Sequence, residues 1–85
     1  MRQVINQPVT VISQYQAGGK FRPVKVIWQG REYHIIKTGM HHVVKQADLR
    51  YHIFSCSSEQ LFFRLKLDAQ HLTWTLEEIH DGQAD

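Results

Sequence analysis

Histidine is the most abundant residue type in this chain that could do chemistry. Zinc sites need three or four His, Cys or carboxylate ligands converging at about 2.0–2.3 Å. The adjacent pair His41 and His42 would point to opposite faces of a strand, and no spacing matches a zinc finger or an H-E-x-x-H motif. We therefore predict no metal site and no cofactor. The six histidines are His34, His41, His42, His52, His71 and His80.

Nucleophilic chemistry finds little support in the residues. Cys56 is the only cysteine and lies four residues after His52, roughly 13 Å along a strand and too far for a nucleophile and its base. Ser55, Ser57 and Ser58 have no G-x-S-x-G context, and Gly18-Gly19 is not followed by the Lys-Ser of a phosphate loop. We predict that the chain has no catalytic residues and is not an enzyme, with Cys56 a small buried hydrophobe.

Basic residues interleaved with aromatic rings form the remaining candidate site. Single-stranded nucleic acid is bound by cations that contact phosphates and by rings on which bases stack. Alternation along the predicted strands places most of these basic and aromatic residues on the outward face. His34 and His52 fall on the same face and could meet across the sheet. The predicted nucleic-acid contacts are Lys25, Arg31, Arg50, Phe62, Arg64 and Lys66, with Tyr33 or Phe62 as the stacking ring. The alternative for these cations is an ordinary solvated face that keeps strand edges from pairing.

A protein-interaction module is the competing hypothesis. Ile27, Ile36, Phe54 and Phe62 fall on the same outward side and could form an apolar patch for a protein partner or a second copy of the chain. The chain would then form a homodimer through that patch or through an exposed strand edge. In a tightly closed sheet the N-terminal segment would instead cover these residues.

These side chains must be positioned by strands, because the dominant hydrophobic period is 2. Residues 61–67 and 72–78 carry apolar residues with a period of 2 and predict an antiparallel hairpin, and further strands are expected at 8–15, 23–28, 31–37 and 50–56. Residues 38–48 are interpreted as a loop or a strand extension. The prediction is an all-β fold, a small antiparallel meander of about six strands closing into a barrel or strongly coiled sheet. The predicted core is Val9, Val11, Val24, Val26, Trp28, Tyr33, Ile35, Tyr51, Ile53, Leu61, Phe63, Leu65, Leu67, Leu72, Trp74 and Leu76.

The turn at Gln29-Gly30 separates two of these strands. Trp28 and Tyr33 lie on the core side before and after it, and Gly30 is expected at positive φ in a type I′ or bulged hairpin. Most of this motif therefore specifies the fold, and only Arg31 at the turn's exit is left for a partner.

Length and composition indicate one small domain spanning residues 1–85. No segment approaches the roughly 20 apolar residues of a membrane span, and the N-terminus lacks the apolar core of a signal peptide. With a single thiol, this predicts a cytoplasmic protein without membrane contact. All ten Lys and Arg lie in residues 1–66, whereas residues 67–85 hold five of the eight acidic residues. That asymmetry indicates either a surface for polyanions or a last strand that pairs its charges with its neighbours.

A short pattern in P-V-K-V-I-W-Q-G-R-E-Y-H-I, at residues 23–35, resembles the opening of a small bacterial domain of unknown function. That domain occurs as short stand-alone proteins and near the C-terminus of proteins related to Y-family DNA polymerases. The resemblance continues at Tyr51–Ile53, at the strand from Phe62 to Asp68 and at Trp74–Leu76, and covers roughly residues 20–80. It implies a nucleic-acid or repair context for a non-catalytic binding or accessory module.

Overall fold

Strands account for all the regular structure in the part of the chain that is described. A computed structural model describes residues 1–81, which form eight antiparallel strands and no helix. The strands are β1 (Arg2–Pro8), β2 (Thr10–Tyr15), β3 (Phe21–Trp28), β4 (Arg31–His34), β5 (Lys37–Gln46), β6 (Leu49–Ser57), β7 (Phe62–Asp68) and β8 (Thr73–His80). A five-stranded sheet has the order β1-β8-β7-β6-β5, and a three-stranded sheet has the order β2-β3-β4. The all-β, antiparallel prediction is confirmed.

Two chain segments pass from one sheet to the other. Val9 separates β1 from β2, and its amide donates to the Trp74 carbonyl at 3.1 Å. Ile35 and Ile36 separate β4 from β5, and the Ile36 amide donates to the Ser57 carbonyl at 2.8 Å. The backbone therefore stays hydrogen-bonded where it changes sheets, which is how strands form the corners of sandwiches.

The core lies between the two sheets. Its buried residues are Val26 and Tyr33 from the three-stranded sheet and Phe54, Cys56, Phe63, Leu65 and Leu76 from the five-stranded sheet. Tyr33 meets Phe63 edge to face, with ring centroids 5.3 Å apart. We call the side of each sheet that faces this core its inner face and the opposite side its outer face.

The predicted strand number and barrel closure are wrong, since the described residues form eight strands in two open sheets. The two additional strands are β1 and β5, which lie at the edges of the five-stranded sheet. Nearly every residue of both is exposed, so neither segment needs the apolar alternation from which strands are recognised.

Several predictions about the core are also wrong. Tyr51 and Ile53 were expected on the inner face, but they alternate with Phe54 and lie on the outer face of β6. Phe54 was expected to point outward, but its side chain is 1% exposed and belongs to the core. Leu72 was expected inside, but it is 70% exposed. Leu72 ends the turn after β7 with φ at +56° and its amide donates to the Asp68 carbonyl at 2.7 Å, and this turn geometry directs its side chain to solvent.

The turn at Gln29-Gly30 agrees with the prediction. Gln29 has φ of +52° and Gly30 of +74°, and Trp28 pairs directly with Arg31. Positive φ at both central residues of a two-residue loop is the signature of a type I′ hairpin. Gly30 supplies a conformation that residues with a Cβ rarely adopt.

Candidate nucleic-acid interface

Strand β7 brings three of the predicted contacts onto one surface. Phe63, Leu65 and Leu67 are buried on the inner face of the five-stranded sheet. Because side chains alternate along a strand, the residues between them point to the outer face. These outer-face residues are Phe62, Arg64 and Lys66, the one aromatic and two of the five basic members of the predicted site.

Strand pairing extends this surface across the whole sheet. Residues directly opposite each other on antiparallel strands share a face. The row through Phe62 runs Lys37, Ser57, Phe62, His80 and Arg2 from β5 to β1. The next row contains Met40, Ser55, Arg64, Glu78 and Val4. We call these two rows the upper outer face.

Carboxylates on β8 partly neutralise the cations of the upper outer face. Arg64 Nε lies 3.0 Å from Glu77 Oε1, and Arg2 Nε lies 3.3 Å from Glu78 Oε1. A register shift opposite Arg64 places Glu77 and Glu78 together near the two arginines. The last strand therefore pairs its charges with its neighbours, one of the two explanations for the charge asymmetry of the sequence.

Lys66 lies in the next row down and has a different environment. Its ammonium group lies 4.9 Å from the centre of the Tyr51 ring, a cation–π contact. The row beneath the upper outer face also contains Ile53, which is 4% exposed although it faces away from the main core. The lysine stem can cover such an apolar residue while its charged end stays in water.

The other predicted contacts lie elsewhere. Lys25 is on the three-stranded sheet, with Nζ 3.2 Å from Glu32 Oε1. Arg31 is opposite Trp28, so it points to the other face of that sheet from Lys25. Arg50 is opposite Lys45 at the far end of the β5–β6 hairpin, and alternation along β6 places it on the inner side. The structure thus brings Phe62, Arg64 and Lys66 together and leaves Lys25, Arg31 and Arg50 apart from them.

The two rings offered for stacking are distinguished by burial. Tyr33 is 6% exposed and packed against Phe63 in the core, whereas Phe62 is 52% exposed. Of the two, only Phe62 presents its ring to a ligand on this surface. Sequence reasoning missed Arg2 because β1 was not recognised. It missed Lys37 because the predicted strand over 31–37 continued through a residue that begins β5, and alternation with Tyr33 and Ile35 placed it on the inward side.

The histidines form a cluster that the sequence did not predict. His34 on β4 pairs with Lys25 on β3 and does not meet His52. His52 was expected on the outward face, but it pairs with the buried Leu67 and lies on the inner face. Instead His41 Nε2 lies 2.8 Å from His52 Nδ1, and the His41 ring stacks on Phe54 with centroids 4.2 Å apart. His42 is opposite Ile53 on the other face, as expected for neighbours on a strand. Within residues 1–81, no three His, Cys, Asp or Glu residues are grouped as a metal site would require.

The environment of Cys56 fits a structural residue. Its side chain is 4% exposed on the inner face of β6, and burial raises the pKa of the thiol to about 12. No described helix is long and apolar enough to cross a membrane.

Comparisons of the chain with protein families, with curated proteins and with solved structures gave no significant match. The function must therefore be argued from the surface itself.

Proposed function

We propose that this chain is a non-catalytic binding module that contacts single-stranded nucleic acid through the outer face of the five-stranded sheet. The observation that carries the proposal is the arrangement of Phe62, Arg64 and Lys66 on one face of β7, extended by Arg2 and Lys37 on the two edge strands. Phosphates attract the cations, and the half-exposed ring of Phe62 offers a stacking surface to any base.

The ion pairs on this surface are compatible with phosphate binding. The side chains of Arg64 and Arg2 are 44% and 66% exposed, and those of their partners Glu77 and Glu78 are 22% and 27% exposed. Exposed ion pairs contribute only about 0–1 kcal/mol. The guanidinium is the more exposed partner of each pair and can therefore exchange its carboxylate for a phosphate, which a planar guanidinium binds in a bidentate manner.

Binding should be measured by fluorescence anisotropy of a short labelled oligodeoxythymidylate across a series of salt concentrations. We expect saturable binding at low salt whose affinity falls steeply as salt rises. The double substitution Arg64→Ala/Lys66→Ala should weaken binding and reduce the slope of log K against log salt by about 0.7 for each phosphate that the variant no longer neutralises. Phe62→Ala should weaken it by about 1–3 kcal/mol with little change in that slope.

A matched control is offered by Lys20→Ala/Arg22→Ala. This double variant removes the same charge from the β2–β3 hairpin of the other sheet, so it should leave the affinity close to that of the unmodified chain. Equal losses of affinity from the two double variants would show that the loss comes from the change in net charge and not from the position of the cations. Absence of saturable binding at low salt would refute the proposal.

Self-association is the second candidate, and strand β5 is the observation that favours it. This strand lies at the edge of the five-stranded sheet and is paired, among the described strands, only with β6. Met40, Val43 and Val44 are 60%, 52% and 39% exposed on it. An exposed apolar edge is a template for pairing with another chain.

The molar mass by light scattering across a concentration series tests this candidate. A dimer that dissociates on dilution, and that Val44→Lys converts to a monomer, would support pairing through the β5 edge. A molar mass equal to that of the monomer at every concentration would rule out self-association.

A further inference from the structure

A concave site lies at one end of the outer face of the five-stranded sheet. Its volume is about 420 Å³, within the range of small-molecule sites. It is lined largely by the upper outer face, with Phe62 in the central strand of the sheet and Lys37 and Arg2 on the two edge strands. The cavity therefore coincides with the cations and the exposed ring of the proposed interface.

The charges at this site favour an anion. Lys37, Arg2 and Arg64 line it, and Glu78 is the one carboxylate among its described lining residues. Arg2 and Arg64 have carboxylate partners, but Lys37 has no ion pair within residues 1–81. An anionic ligand can therefore bind the ammonium group of Lys37 without displacing a carboxylate.

The remaining lining suits a base and a sugar. Phe62 is 52% exposed, and its ring meets His80 edge to face with centroids 6.1 Å apart. Ser55 and Ser57 lie in the same two rows and carry hydroxyls that can donate or accept hydrogen bonds. Lys37 and Phe62 are both opposite Ser57, so their backbones are two strand spacings, about 10 Å, apart. A nucleoside monophosphate can bridge that span.

We propose that this concave site binds one nucleotide unit, with the base on Phe62 and the phosphate at Lys37. The inference rests on the proposed function and specifies that the site holds a single nucleotide of the bound nucleic acid. Base and phosphate are recognised together, so a ligand carrying only one of them binds more weakly.

The test uses adenosine monophosphate, adenosine and inorganic phosphate as separate probes, with binding followed by amide chemical shifts of the isotope-labelled protein. Adenosine monophosphate should bind saturably and shift the amides of Ser55, Ser57 and Phe62. Lys37→Ala should weaken its binding by about 10-fold or more, as expected for removal of a hydrogen bond to a charged group. Phe62→Leu should weaken it as well, whereas Phe62→Tyr should retain it.

Two control variants come from the same chain. Lys45→Ala removes a cation from the far end of β5, and Tyr15→Ala removes an exposed ring from the other sheet; both should bind adenosine monophosphate as the unmodified chain does. The amide spectrum of each variant reports whether its fold is intact.

The outcomes separate the two proposals. If the oligonucleotide binds but adenosine monophosphate does not, or shifts only amides elsewhere, this inference is overturned and the proposed function stands. Equal affinity for inorganic phosphate and adenosine monophosphate would also overturn it, because the base would then contribute nothing. If neither the oligonucleotide nor the mononucleotide binds, both proposals fail.

Discussion

His41 and His52 face each other on neighbouring strands with Nε2 and Nδ1 2.8 Å apart. Such a contact needs one ring nitrogen to donate a proton and the other to accept it, so the two rings must adopt complementary tautomers. If both rings were protonated, no acceptor would remain and two positive charges would lie in contact. This hydrogen bond therefore exists only while at least one ring is neutral.

Stability should fall on mild acidification because of this pair. The pKa of His41 is lowered, first by burial and then by the nearby His52 and His42. The unfolded chain, in which histidine has a pKa near 6.5, then binds more protons than the folded chain. This contribution to the free energy of unfolding is complete above about pH 6.5 and is lost as the pH falls through the folded pKa. Urea unfolding between pH 7 and pH 5 measures it.

The variant that isolates this effect is His41→Phe, which retains a ring to stack on Phe54. Its free energy of unfolding should change less between pH 7 and pH 5 than that of the unmodified chain. His34→Gln, at an exposed position on β4, is the control and should leave the pH dependence unchanged. If His41→Phe and the unmodified chain lose stability in parallel, the histidine pair is not the cause.

Phe54 and Phe62 provide a second prediction, because they have the same side chain in opposite environments. Phe54 is 1% exposed and touches the rings of Phe21, His41 and Trp74. Phe54→Ala should lower the free energy of unfolding by about 3–5 kcal/mol. Phe62→Ala, at a half-exposed position, should change it by less than about 1 kcal/mol. Urea denaturation of both variants tests this, and equal decreases would contradict the assignment of faces on β6 and β7.

The same two residues show how far sequence reasoning reaches. On β7 the apolar residues Phe63, Leu65 and Leu67 at every second position predicted both faces correctly, including the outward direction of Phe62, Arg64 and Lys66. On β6 the neighbours Ile53 and Phe54 are both apolar and both buried, so alternation could not decide which of them faces the core. The pattern favoured Ile53 for the inner face, and the aromatic cluster around Phe54 was missed.

Edge strands explain the remainder of what the sequence could not predict. Strands β1 and β5 are exposed on both faces along most of their length, so burial imposes no period on their residues. Arg2 and Lys37 acquire their place on the candidate interface only through pairing with β8 and β6. Such long-range register is not encoded in a local pattern, which is why two of its cations were absent from the predicted site.

Leu72 provides a third prediction, which opposes the expectation that it is a core residue. It is 70% exposed and has φ of +56°, a left-handed conformation that is unfavourable for leucine and better suited to asparagine. Leu72→Asn should leave the free energy of unfolding unchanged or raise it by up to about 1 kcal/mol. Leu76→Ala, at a fully buried leucine on β8, should lower it by about 2–5 kcal/mol. A decrease of that size from Leu72→Asn in thermal or urea unfolding would show that Leu72 packs inside.

The last prediction concerns the reactivity of Cys56. Alkylating reagents attack the thiolate, and burial raises the pKa of this thiol to about 12, so that very little thiolate is present at pH 8. Its side chain is also only 4% exposed on the inner face, so the reagent can reach the sulfur only when the two sheets separate. Iodoacetamide should therefore label the native protein far more slowly than the urea-unfolded protein, as followed by mass spectrometry. Because Phe54→Ala destabilises the same core, it should accelerate native-state labelling, whereas Phe62→Ala should not. Rapid labelling of the native, unmodified chain would contradict the burial of this thiol between the sheets.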